Sequence, residues 1–481
     1  MHNNSLESLD LNLWTKIIIL KKLLFFYCLF TSSGTFSQST ESKFNSAFKT
    51  MKTDPTLSHA TISLYVINTT TGKTVTEENI ETGVAPASCQ KVITAASAFG
   101  LLGHDYRYKT TLAYTGKIVN GVLNGNLILK GSGDPTLGSW RYDEAKEDKI
   151  ISEFKEAISR QGIHEITGHV LTDESIWNSE ATPDGWIWQD IGNYYGAGAR
   201  PLNWRENQYD LYLKSGNKVG DPVVIIGTKP SFVYDLHLKS KVTSGPKGSG
   251  DNNYIYLPLG DAYGYVRGTT PVNEDHFKIS GAMPNAAAQL ALTLEASVKN
   301  QPIEKLAPDY LKEINPGKAT VFYTHTSPPL DDIIFHFLRK SINLYGESLI
   351  KTLGYQFAGY GITDSGVNVI HNFWKDKGIE PYAINIIDGS GLSPSNRVTT
   401  KALVTVMEYA RKQSWFSSFY NALPTISGIK MKSGTITGVI SYTGYIKGTN
   451  GNEYTFSFVI NNYDGKANDV RQKMWKLLGM L

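Results

Sequence analysis

The sequence has few cysteines and no excess of charge, and both shortages exclude classes of protein. It contains 2 cysteines in 481 residues, so a framework of disulfide bonds is excluded. Lys and Arg total 47 against 44 Asp and Glu, a net charge of +3, which gives no long-range attraction to nucleic acid or to an anionic membrane surface. Apolar residues at 41% and charged residues at 19% suit packed cores rather than a disordered chain.

Long hydrophobic runs are also missing. The most apolar stretch, residues 17–30, is interrupted by Lys21 and Lys22, which leaves eight uninterrupted apolar residues at 23–30. A membrane span needs about 20 such residues. Lysines, a short apolar core and then small residues are typical of a secretory signal peptide, so we expect residues 1–37 to direct export to the periplasm and to be removed. A buried N-terminal helix is the alternative interpretation.

The composition changes twice along the chain. A strand is predicted at residues 62–67 and an apolar helix at 89–102. Residues 105–276 are then rich in Gly, Asn, Asp and Tyr, with one amphipathic helix at 143–160. Short strands separated by Gly-rich turns indicate β-rich inserted modules. The total of 481 residues is more than one ordinary domain uses, so two or three units are expected.

Helical periodicity returns after residue 277. Apolar spacing predicts helices at 284–297, 330–339, 347–353, 366–377 and 400–413. Alternating strands are predicted at 434–446 and 454–460, and a final helix follows Gly465.

The apolar helix at 89–102 is preceded by a possible catalytic pair, Ser88 and Lys91. Residues three apart on a helix lie on nearly the same face, so the hydroxyl and the amine should be neighbours. A serine hydroxyl becomes a good nucleophile when a base removes its proton. Lysine can be that base only when neutral, which burial and a second nearby cation can achieve. Lowering its pKa by about three units costs on the order of 4 kcal/mol, which the fold must supply.

The Ser-x-x-Lys pattern alone is weak, because it also occurs at Ser46, Ser152, Ser215, Ser244, Ser348 and Ser427. Two later elements strengthen the assignment to Ser88. Ser341-Ile342-Asn343 lies at a predicted break between helices, and Lys432-Ser433-Gly434-Thr435 begins a predicted strand. Lys214-Ser215-Gly216-Asn217 matches similar patterns, but it is predicted to be a hairpin turn. Only the first set combines a helix start, an interhelical break and a strand in that order.

Other patterns favour structural interpretations. His164 and His169 are five residues apart, whereas a zinc-protease helix spaces its histidines by four, so no metal site is expected. Cys89 is expected to be a small core residue. Aromatic residues are not interleaved with basic runs, so no nucleic acid partner is expected.

The set formed by Ser88, Ser341 and Lys432 resembles the three elements S-x-x-K, S-D-N and K-T-G of the penicillin-recognising serine transferases. Longer segments narrow the resemblance: PASCQKVITAASAFGLLG (86–103), KGSGDPTL (130–137), DGWIWQDIGNYYGA (184–197), DGSGLSPSN (388–396) and KSGTITGV (432–439). With these segments the chain resembles the D-alanyl-D-alanine carboxypeptidase/endopeptidase family. These are peptidase S13 proteins, low-molecular-mass penicillin-binding proteins of the penicillin-binding protein 4 type. The resemblance covers essentially the whole chain after the expected signal peptide.

The resemblance implies an α+β fold in which a β-lactamase/transpeptidase-like domain, an antiparallel sheet covered by helices, is interrupted by inserted β-rich domains. The 253 positions between Ser88 and Ser341 agree with such an insertion. We therefore expect residues 38–104 and 277–481 to form one discontinuous catalytic domain, and residues 105–276 to form the inserted part.

The resemblance also implies a role for each motif residue. Ser88 would be the acylated nucleophile, and Lys91 would accept its proton. Ser341 would relay a proton to the leaving group. Asn343 would hold the peptide carbonyl of the substrate.

The third element would bind the substrate. Lys432 and Ser433 would hold the terminal carboxylate, and Lys432 would help to keep the first lysine neutral. Gly434 belongs to the same element, and the N–H of Thr435 would complete an oxyanion hole with that of the nucleophile. Two positions depart from the family pattern: Ile342 stands in place of Asp, and Ser433 in place of Thr. Neither departure removes a group that acts directly, so activity is still expected.

The expected function is therefore that of an exported serine-type D-Ala-D-Ala carboxypeptidase that also has endopeptidase activity on D-Ala-diaminopimelate cross-links of peptidoglycan. No cofactor or metal is expected, and β-lactam antibiotics should be covalent inhibitors. A β-lactamase or esterase on the same fold and a catalytically silent protein that binds the cell wall are the alternatives. Nothing in the sequence indicates the oligomeric state.

Overall fold

A computed structural model describes residues 39–177, 180–259, 263–307, 318–449 and 451–481. The expected signal peptide, residues 1–37, lies outside the described residues. Within the described ranges, none of the helices has both the length and the apolar character needed to cross a membrane.

The helices of the described residues, in chain order, are α1 (Thr40–Lys52), α2 (Lys91–Leu102), α3 (Glu147–Arg160), α4 (Trp188–Ile191), α5 (Ala286–Lys299), α6 (Ile303–Leu306), α7 (Leu330–Lys340), α8 (Asn343–Ala358), α9 (Thr363–Lys375), α10 (Thr400–Arg411), α11 (Phe416–Ala422) and α12 (Ala467–Leu478).

The strands of the same residues are β1 (Thr61–Asn68), β2 (Thr74–Glu78), β3 (Lys109–Tyr114), β4 (Lys117–Val119), β5 (Val122–Asn124), β6 (Leu127–Lys130), β7 (Glu165–Ile166), β8 (Val170–Asp173), β9 (Gln208–Lys214), β10 (Val224–Lys229), β11 (His237–Gly245), β12 (Tyr254–Tyr256), β13 (Tyr263–Pro271), β14 (Phe277–Ala282), β15 (Thr320–Thr326), β16 (Ile384–Asn385), β17 (Arg397–Val398), β18 (Thr425–Ile426), β19 (Ile429–Ile436), β20 (Val439–Lys447) and β21 (Glu453–Asn461).

The largest sheet joins the two ends of the chain. Its order is β18-β19-β20-β21-β1-β2, and every pair in it is antiparallel. Helices α1 and α12 cover one face, where Phe44 and Met474 pack against Leu64 and Phe458. Helix α10 covers the other face. Because both faces are covered, β20 and β21 are buried along nearly their whole length, including the polar residues Ser441, Thr443, Thr455 and Ser457.

Helix α2 lies in the protein interior, as its apolar sequence predicts. Every residue from Lys91 to Phe99 is buried. It packs among α7, α8 and α10, whose apolar faces complete one core. Because this helix is enclosed on all sides, Lys91 lies in the protein interior, where burial of a charged group is energetically unfavourable.

The strands that lie between α2 and α7 in the chain form four smaller sheets. Their orders are β15-β3-β6-β8, β4-β5-β7, β10-β9-β14 and β11-β13-β12. Helices α3 and α5 pack against them through Phe154 and Leu290. Strands β14 and β15 follow residue 276 in the chain, yet they pair with β9 and β3. This arrangement agrees with the predicted α+β class, and the division into domains at 105–276 stays a prediction.

Some element boundaries differ from the prediction at the site. The helix expected at 347–353 begins at Asn343, because Ser341, with φ 58°, ends α7 and only Ile342 separates the two helices. The strand expected at 434–446 is two strands, β19 and β20, joined by a turn at Gly438 with φ 72°. Lys432 therefore lies within a strand rather than at its start.

Two helix starts also differ. The helix expected at 143–160 begins at Glu147, after a separate 3₁₀ turn at Asp143–Ala145. The helix expected from residue 89 begins as a 3₁₀ turn, Ala87–Gln90, and becomes α-helical at Lys91. Both differences are of the kind expected where a tight turn precedes a helix.

Candidate active site

Ser88 lies in the 3₁₀ turn at the start of α2. The residue before it, Ala87, has φ 46°, a left-handed conformation that is costly for a residue with a side chain. The turn is held by the central sheet, because Ser441 donates a hydrogen bond from Oγ to the carbonyl oxygen of Pro86 over 2.6 Å. The Cys89 thiol donates to the carbonyl oxygen of Lys432 over 3.2 Å. The strained backbone is thus supported from the sheet, which fixes the position of the half-buried Ser88.

The amino group of Lys91 lies at the centre of the site. Its Nζ is 3.0 Å from Ser88 Oγ, 2.7 Å from Asn343 Oδ1 and 2.6 Å from the carbonyl oxygen of Ser390. The side chain is fully buried. Burial, followed by the positive charge of Lys432, lowers the pKa of Lys91 well below its usual value. An amine of lowered pKa beside a serine hydroxyl can act as a base at neutral pH.

Lys432 is the second buried cation of the site. It lies in β19, and its Nζ donates to the carbonyl oxygen of Ser433 over 2.7 Å. Burial is the main cause that lowers the pKa of Lys432 to about 8. Its positive charge in turn lowers the pKa of Lys91.

Gly434 lets strand β19 approach Ser88 closely. A β-carbon at this position would lie 2.3 Å from Ser441 Oγ and 2.8 Å from the backbone nitrogen of Ser88, distances too short for any side chain. Gly434 is paired with Ser441 and Thr435 with Ile440 on β20. The close approach brings the backbone of Thr435 to the same cavity as Ser88.

The second motif closes the site from α7 and α8. Ser341 ends α7 and lines the cavity. Asn343, the first residue of α8, has its Oδ1 at Lys91, while its Nδ2 donates to the carbonyl oxygen of Tyr195 over 2.8 Å. One amide therefore joins α2 to the segment that contains Tyr195.

A cavity of about 520 Å³ lies over these residues. Its lining includes four of the motif residues, Ser88, Ser341, Asn343 and Thr435. Lys91 and Lys432 are buried and are not among the lining residues. The structure thus brings the three sequence motifs to one place.

The part of the chain between α2 and α7 supplies part of the cavity wall. Ile187, Asp190, Tyr195 and Tyr254 line it. The Tyr195 hydroxyl donates to Asp190 Oδ1 over 3.3 Å, while burial raises the pKa of Asp190. The sequence motifs did not single out these residues, although most of them lie in the DGWIWQDIGNYYGA segment that carried part of the resemblance.

Asp388 is a buried residue that the sequence motifs also missed. Its Oδ1 accepts hydrogen bonds from the Gln90 amide at 3.0 Å and the Gly391 N–H at 2.7 Å. Its Oδ2 accepts from the Trp186 indole at 3.0 Å and from the Ser393 N–H at 2.7 Å. This carboxylate therefore holds the loop 388–396, whose Ser390 carbonyl contacts Lys91, against the nucleophile turn. The signal for it was the DGSGLSPSN segment.

Helix α8 carries two further buried ionisable groups, Glu347 and Lys351, which follow Asn343 at intervals of about one helical turn. Both Glu347 oxygens accept from the Gly389 N–H, at 3.2 and 3.0 Å. Burial, and then the neighbouring Asp388, raise the pKa of Glu347 to about 8. Lys351 donates to the carbonyl oxygen of Glu180 and lies 3.4 Å from that of Ala199. The face of α8 that begins at Asn343 thus contacts both loops that border the cavity.

The chemistry available is nucleophilic attack by a serine assisted by a lysine base. In the described ranges, no group of three or more His, Cys, Asp or Glu side chains is placed to hold a metal ion. The site offers a serine hydroxyl beside a buried lysine amine of lowered pKa, together with a second buried lysine, which is a set suited to acyl transfer.

Comparisons with known proteins agree with this chemistry. A model of the D-Ala-D-Ala carboxypeptidase 3 (S13) family matches residues 45–480. A D-alanyl-D-alanine carboxypeptidase of Actinomadura sp. (strain R39) is 25% identical over 443 residues, covering 86% of this chain and 80% of the relative. D-alanyl-D-alanine carboxypeptidase DacB of Haemophilus influenzae is 26% identical over 411 residues, covering 81% of this chain and 83% of the relative.

A solved structure shares the fold. The crystal structure of penicillin binding protein 4 (dacB) from Haemophilus influenzae matches with a TM-score of 0.72 at 22% identity, over 91% of this chain and 97% of that chain. This match confirms the predicted fold class.

Proposed function

The chain belongs to the D-Ala-D-Ala carboxypeptidase 3 (S13) family, as its motifs predicted, and we propose from this membership that Ser88 is the nucleophile of a serine-type D-Ala-D-Ala carboxypeptidase acting on peptidoglycan stem peptides. The observation that carries the proposal is the 3.0 Å contact between Ser88 Oγ and the Lys91 amino group, inside a site that lowers the pKa of that lysine.

Acylation follows from the contacts around Ser88. Neutral Lys91 removes the hydroxyl proton, and Oγ attacks the carbonyl carbon of the penultimate D-Ala. The backbone N–H groups of Ser88 and Thr435 stabilise the negative oxygen, where loss of one donor typically costs about 3–4 kcal/mol. The C–N bond then breaks, Ser341 relays a proton to the leaving amine, and the terminal D-Ala departs. The peptide remains as an ester on Ser88.

Deacylation reverses the proton movements. A water molecule loses a proton to Lys91 and attacks the ester carbonyl, the C–O bond to Ser88 breaks, and the serine recovers its proton. The shortened stem peptide leaves with a new carboxylate. A β-lactam acylates Ser88 by the same attack, but its leaving nitrogen stays tethered to the acyl group after the ring opens. That product obstructs water, and the ester persists.

Substrate orientation is assigned to the remaining motif residues. Asn343 holds the peptide carbonyl, and Lys432 with Ser433 attracts the terminal carboxylate. Asp190 is an acidic residue of the cavity lining, and its carboxylate would attract the free amino group of a diamino acid in a cross-linked stem peptide. This placement supports recognition of a stem peptide that carries a diamino acid, in the carboxypeptidase reaction and in endopeptidase cleavage of D-Ala-diaminopimelate cross-links alike.

Covalent labelling tests the assignment of Ser88. A labelled penicillin should mark one serine of the wild type, and Ser88→Ala should abolish the mark. Ser152→Ala is the matched control, because Ser152 also begins a Ser-x-x-Lys pattern on a helix but is exposed on α3. Labelling that survives in Ser88→Ala, or no labelling of the wild type, would contradict the proposal.

The fate of the label separates the peptidase from its alternatives. A long-lived adduct together with release of D-Ala from a pentapeptide supports the carboxypeptidase, and cleavage of a cross-linked dimer supports the endopeptidase. Rapid turnover of the drug without D-Ala release would favour a β-lactamase or esterase. Binding to sacculi without any release of D-Ala would favour a silent wall-binding protein.

We also propose export to the periplasm through residues 1–37, where peptidoglycan is accessible. The support is the pattern of lysines, short apolar core and small residues. N-terminal sequencing of the protein recovered from cells should begin near residue 38. Recovery of the uncleaved protein from the cytoplasm would contradict export.

A further inference from the structure

One face of the sheet β11-β13-β12 carries aromatic and cationic side chains and is largely exposed. Strand pairing places His237 beside Tyr263, Lys239 beside Tyr265 and Lys241 beside Arg267. It also places Tyr254 beside Arg267 and Tyr256 beside Tyr265. Paired residues point to the same side of a sheet, so these eight residues share one side. We call this side the aromatic-cationic face.

The opposite side of the same sheet is a core surface. Val242, Ile255 and Val266 alternate with the residues of the aromatic-cationic face and are buried in the apolar cluster of this part of the chain. The alternation leaves Lys239, Lys241 and Arg267 exposed. The three strands contain no Asp or Glu, so no residue of the sheet neutralises these cations.

The rings and cations of the face are ordered by mutual contact. The Tyr256 and Tyr265 rings are stacked with centroids 5.1 Å apart. The Lys241 amino group lies 4.3 Å from the centroid of Tyr265, and the Arg267 guanidinium 4.7 Å from that of Tyr256. Arg267 also donates to the Tyr256 hydroxyl over 2.8 Å. These contacts restrict the side chains before any ligand arrives, which lowers the entropic cost of binding.

The aromatic-cationic face continues into the catalytic cavity. Tyr254, at its edge, lines the cavity over Ser88. Trp188, which is 53% exposed, packs edge-on against Tyr256 with centroids 5.2 Å apart. Its chain neighbours Ile187 and Gln189 also line the cavity. A polymer whose stem peptide occupies the cavity would therefore lie across this face.

We propose that the aromatic-cationic face binds the peptidoglycan strand whose stem peptide is being cleaved, an inference that rests on the proposed function. Sugar rings have apolar C–H faces that pack on exposed aromatic rings, and stem peptides carry carboxylates that pair with exposed ammonium and guanidinium groups. The whole chain has a net charge of only +3, so the cations on this sheet are a local feature rather than a general one.

Sacculus binding tests the proposal apart from catalysis. In a Ser88→Ala background, the protein is sedimented with purified sacculi, with and without Lys239→Glu and Lys241→Glu. The double substitution should weaken binding at least tenfold. The matched control, Lys43→Glu with Lys49→Glu, makes the same charge change at exposed positions of α1 and should bind as the parent does. Equal binding by the face variant and the control would overturn the proposal.

The aromatic contribution and the identity of the polymer are tested separately. Tyr265→Ala in the same background should weaken binding also at high salt, where ionic attraction is screened. Soluble glycan-peptide strands should displace the protein from sacculi better than a single-stranded oligonucleotide of equal charge. If the oligonucleotide displaces it equally well, the face is a general polyanion site and the proposal is wrong.

An activity ratio distinguishes this proposal from the one it rests on. With Ser88 intact, Lys239→Glu with Lys241→Glu should lower D-Ala release from sacculi at least tenfold relative to release from a soluble pentapeptide. An unchanged ratio contradicts the role of the face. Absence of D-Ala release from both substrates in the wild type would contradict the proposed function, while the sedimentation result would still decide the binding.

Discussion

The Lys91 amino group and Asn343 Oδ1 are 2.7 Å apart, although the two residues are separated by 252 positions in the chain. The same Asn343 amide donates to the Tyr195 carbonyl oxygen over 2.8 Å. A single side chain thus fixes the Lys91 amino group relative to α8 and relative to the wall of the cavity. This order exists without substrate, so little reorganisation is needed when the reaction begins.

Asn343→Asp should change the pH dependence of acylation. A carboxylate 2.7 Å from Lys91 would favour its ammonium form and raise its pKa, so the base would remain protonated up to a higher pH. We expect the rate of acylation by a labelled penicillin to fall at least tenfold at neutral pH. The acid limb of the pH profile of this rate should move to higher pH. Asn343→Ala is the control: it loses the contact without adding charge, so it should slow acylation and leave the limb unshifted. An unshifted limb in Asn343→Asp would contradict the role of Lys91 as base.

Lys432→Arg should move the alkaline limb of peptide hydrolysis. The pKa of Lys432 is lowered to about 8, so its ammonium loses the proton as the pH rises through that value. If this cation attracts the terminal carboxylate, kcat/KM for a D-Ala-D-Ala peptide should decline above about pH 8. Arginine keeps its charge throughout, so the variant should retain its remaining activity at higher pH. If kcat/KM declines at the same alkaline pH in both proteins, the decline is caused by the titration of a group other than Lys432.

Much of the site could be predicted because its motifs are short in sequence. Ser88 and Lys91 are three residues apart, and a helix start alone brings them together. The contacts of Asp388 with Gln90 and Trp186 could not be predicted in this way, because they join segments about 200 to 300 positions apart. The residue type alone also does not show whether an aspartate is buried or exposed.

The start of α8 was missed for a related reason. Gly346 lies in its first turns, and glycine is a poor helix former, so local propensity moved the predicted start to Glu347. A β-carbon at Gly346 would lie 2.8 Å from the carbonyl oxygen of Gly389. The close packing of α8 on the loop 388–396 therefore requires glycine there, and a tertiary contact outweighs the local preference.

Gly434→Ala should damage activity far more than folding. The new methyl group would lie within 2.8 Å of the Ser88 nitrogen and within 2.3 Å of Ser441 Oγ, so either the strand or the nucleophile turn must move. A displacement of about 1 Å near reacting atoms can cost about a hundredfold in rate. We expect at least that loss in penicillin acylation.

Gly438→Ala is the matched control for Gly434→Ala. Gly438 lies in the next turn with φ 72°, and no atom lies within 4 Å of the place that an alanine β-carbon would take. The substitution should therefore cost about 1 kcal/mol of stability through backbone strain and leave acylation unchanged. Equal acylation rates in the two variants would show that the strand does not position Ser88.

Glu347→Gln should alter how stability depends on pH. Burial raises the pKa of Glu347 to about 8 in the folded protein, against an ordinary value of 4.5. Between these values the folded state holds a proton that the unfolded state releases, so the contribution to stability is complete at low pH and is lost as the pH rises toward 8. Glutamine is neutral at every pH and has no such dependence. The wild type should therefore lose stability relative to Glu347→Gln as the pH rises, by more than about 2 kcal/mol across the window.

Denaturant unfolding of both proteins near pH 5 and near pH 8 measures this difference. The free energy of unfolding of the wild type, relative to that of Glu347→Gln, should be larger near pH 5 than near pH 8. At the higher pH the carboxyl group of the unfolded protein has already released its proton, whereas that of the folded protein is only beginning to do so. Glu156→Gln, a substitution at an exposed position of α3, is the matched control and should show no such change between the two conditions. A difference between wild type and Glu347→Gln that is the same at both pH values would mean that Glu347 is charged in the folded protein throughout. In that case its carboxylate would act on Lys91 as a permanent negative charge rather than as a neutral hydrogen-bonding group beside Gly389.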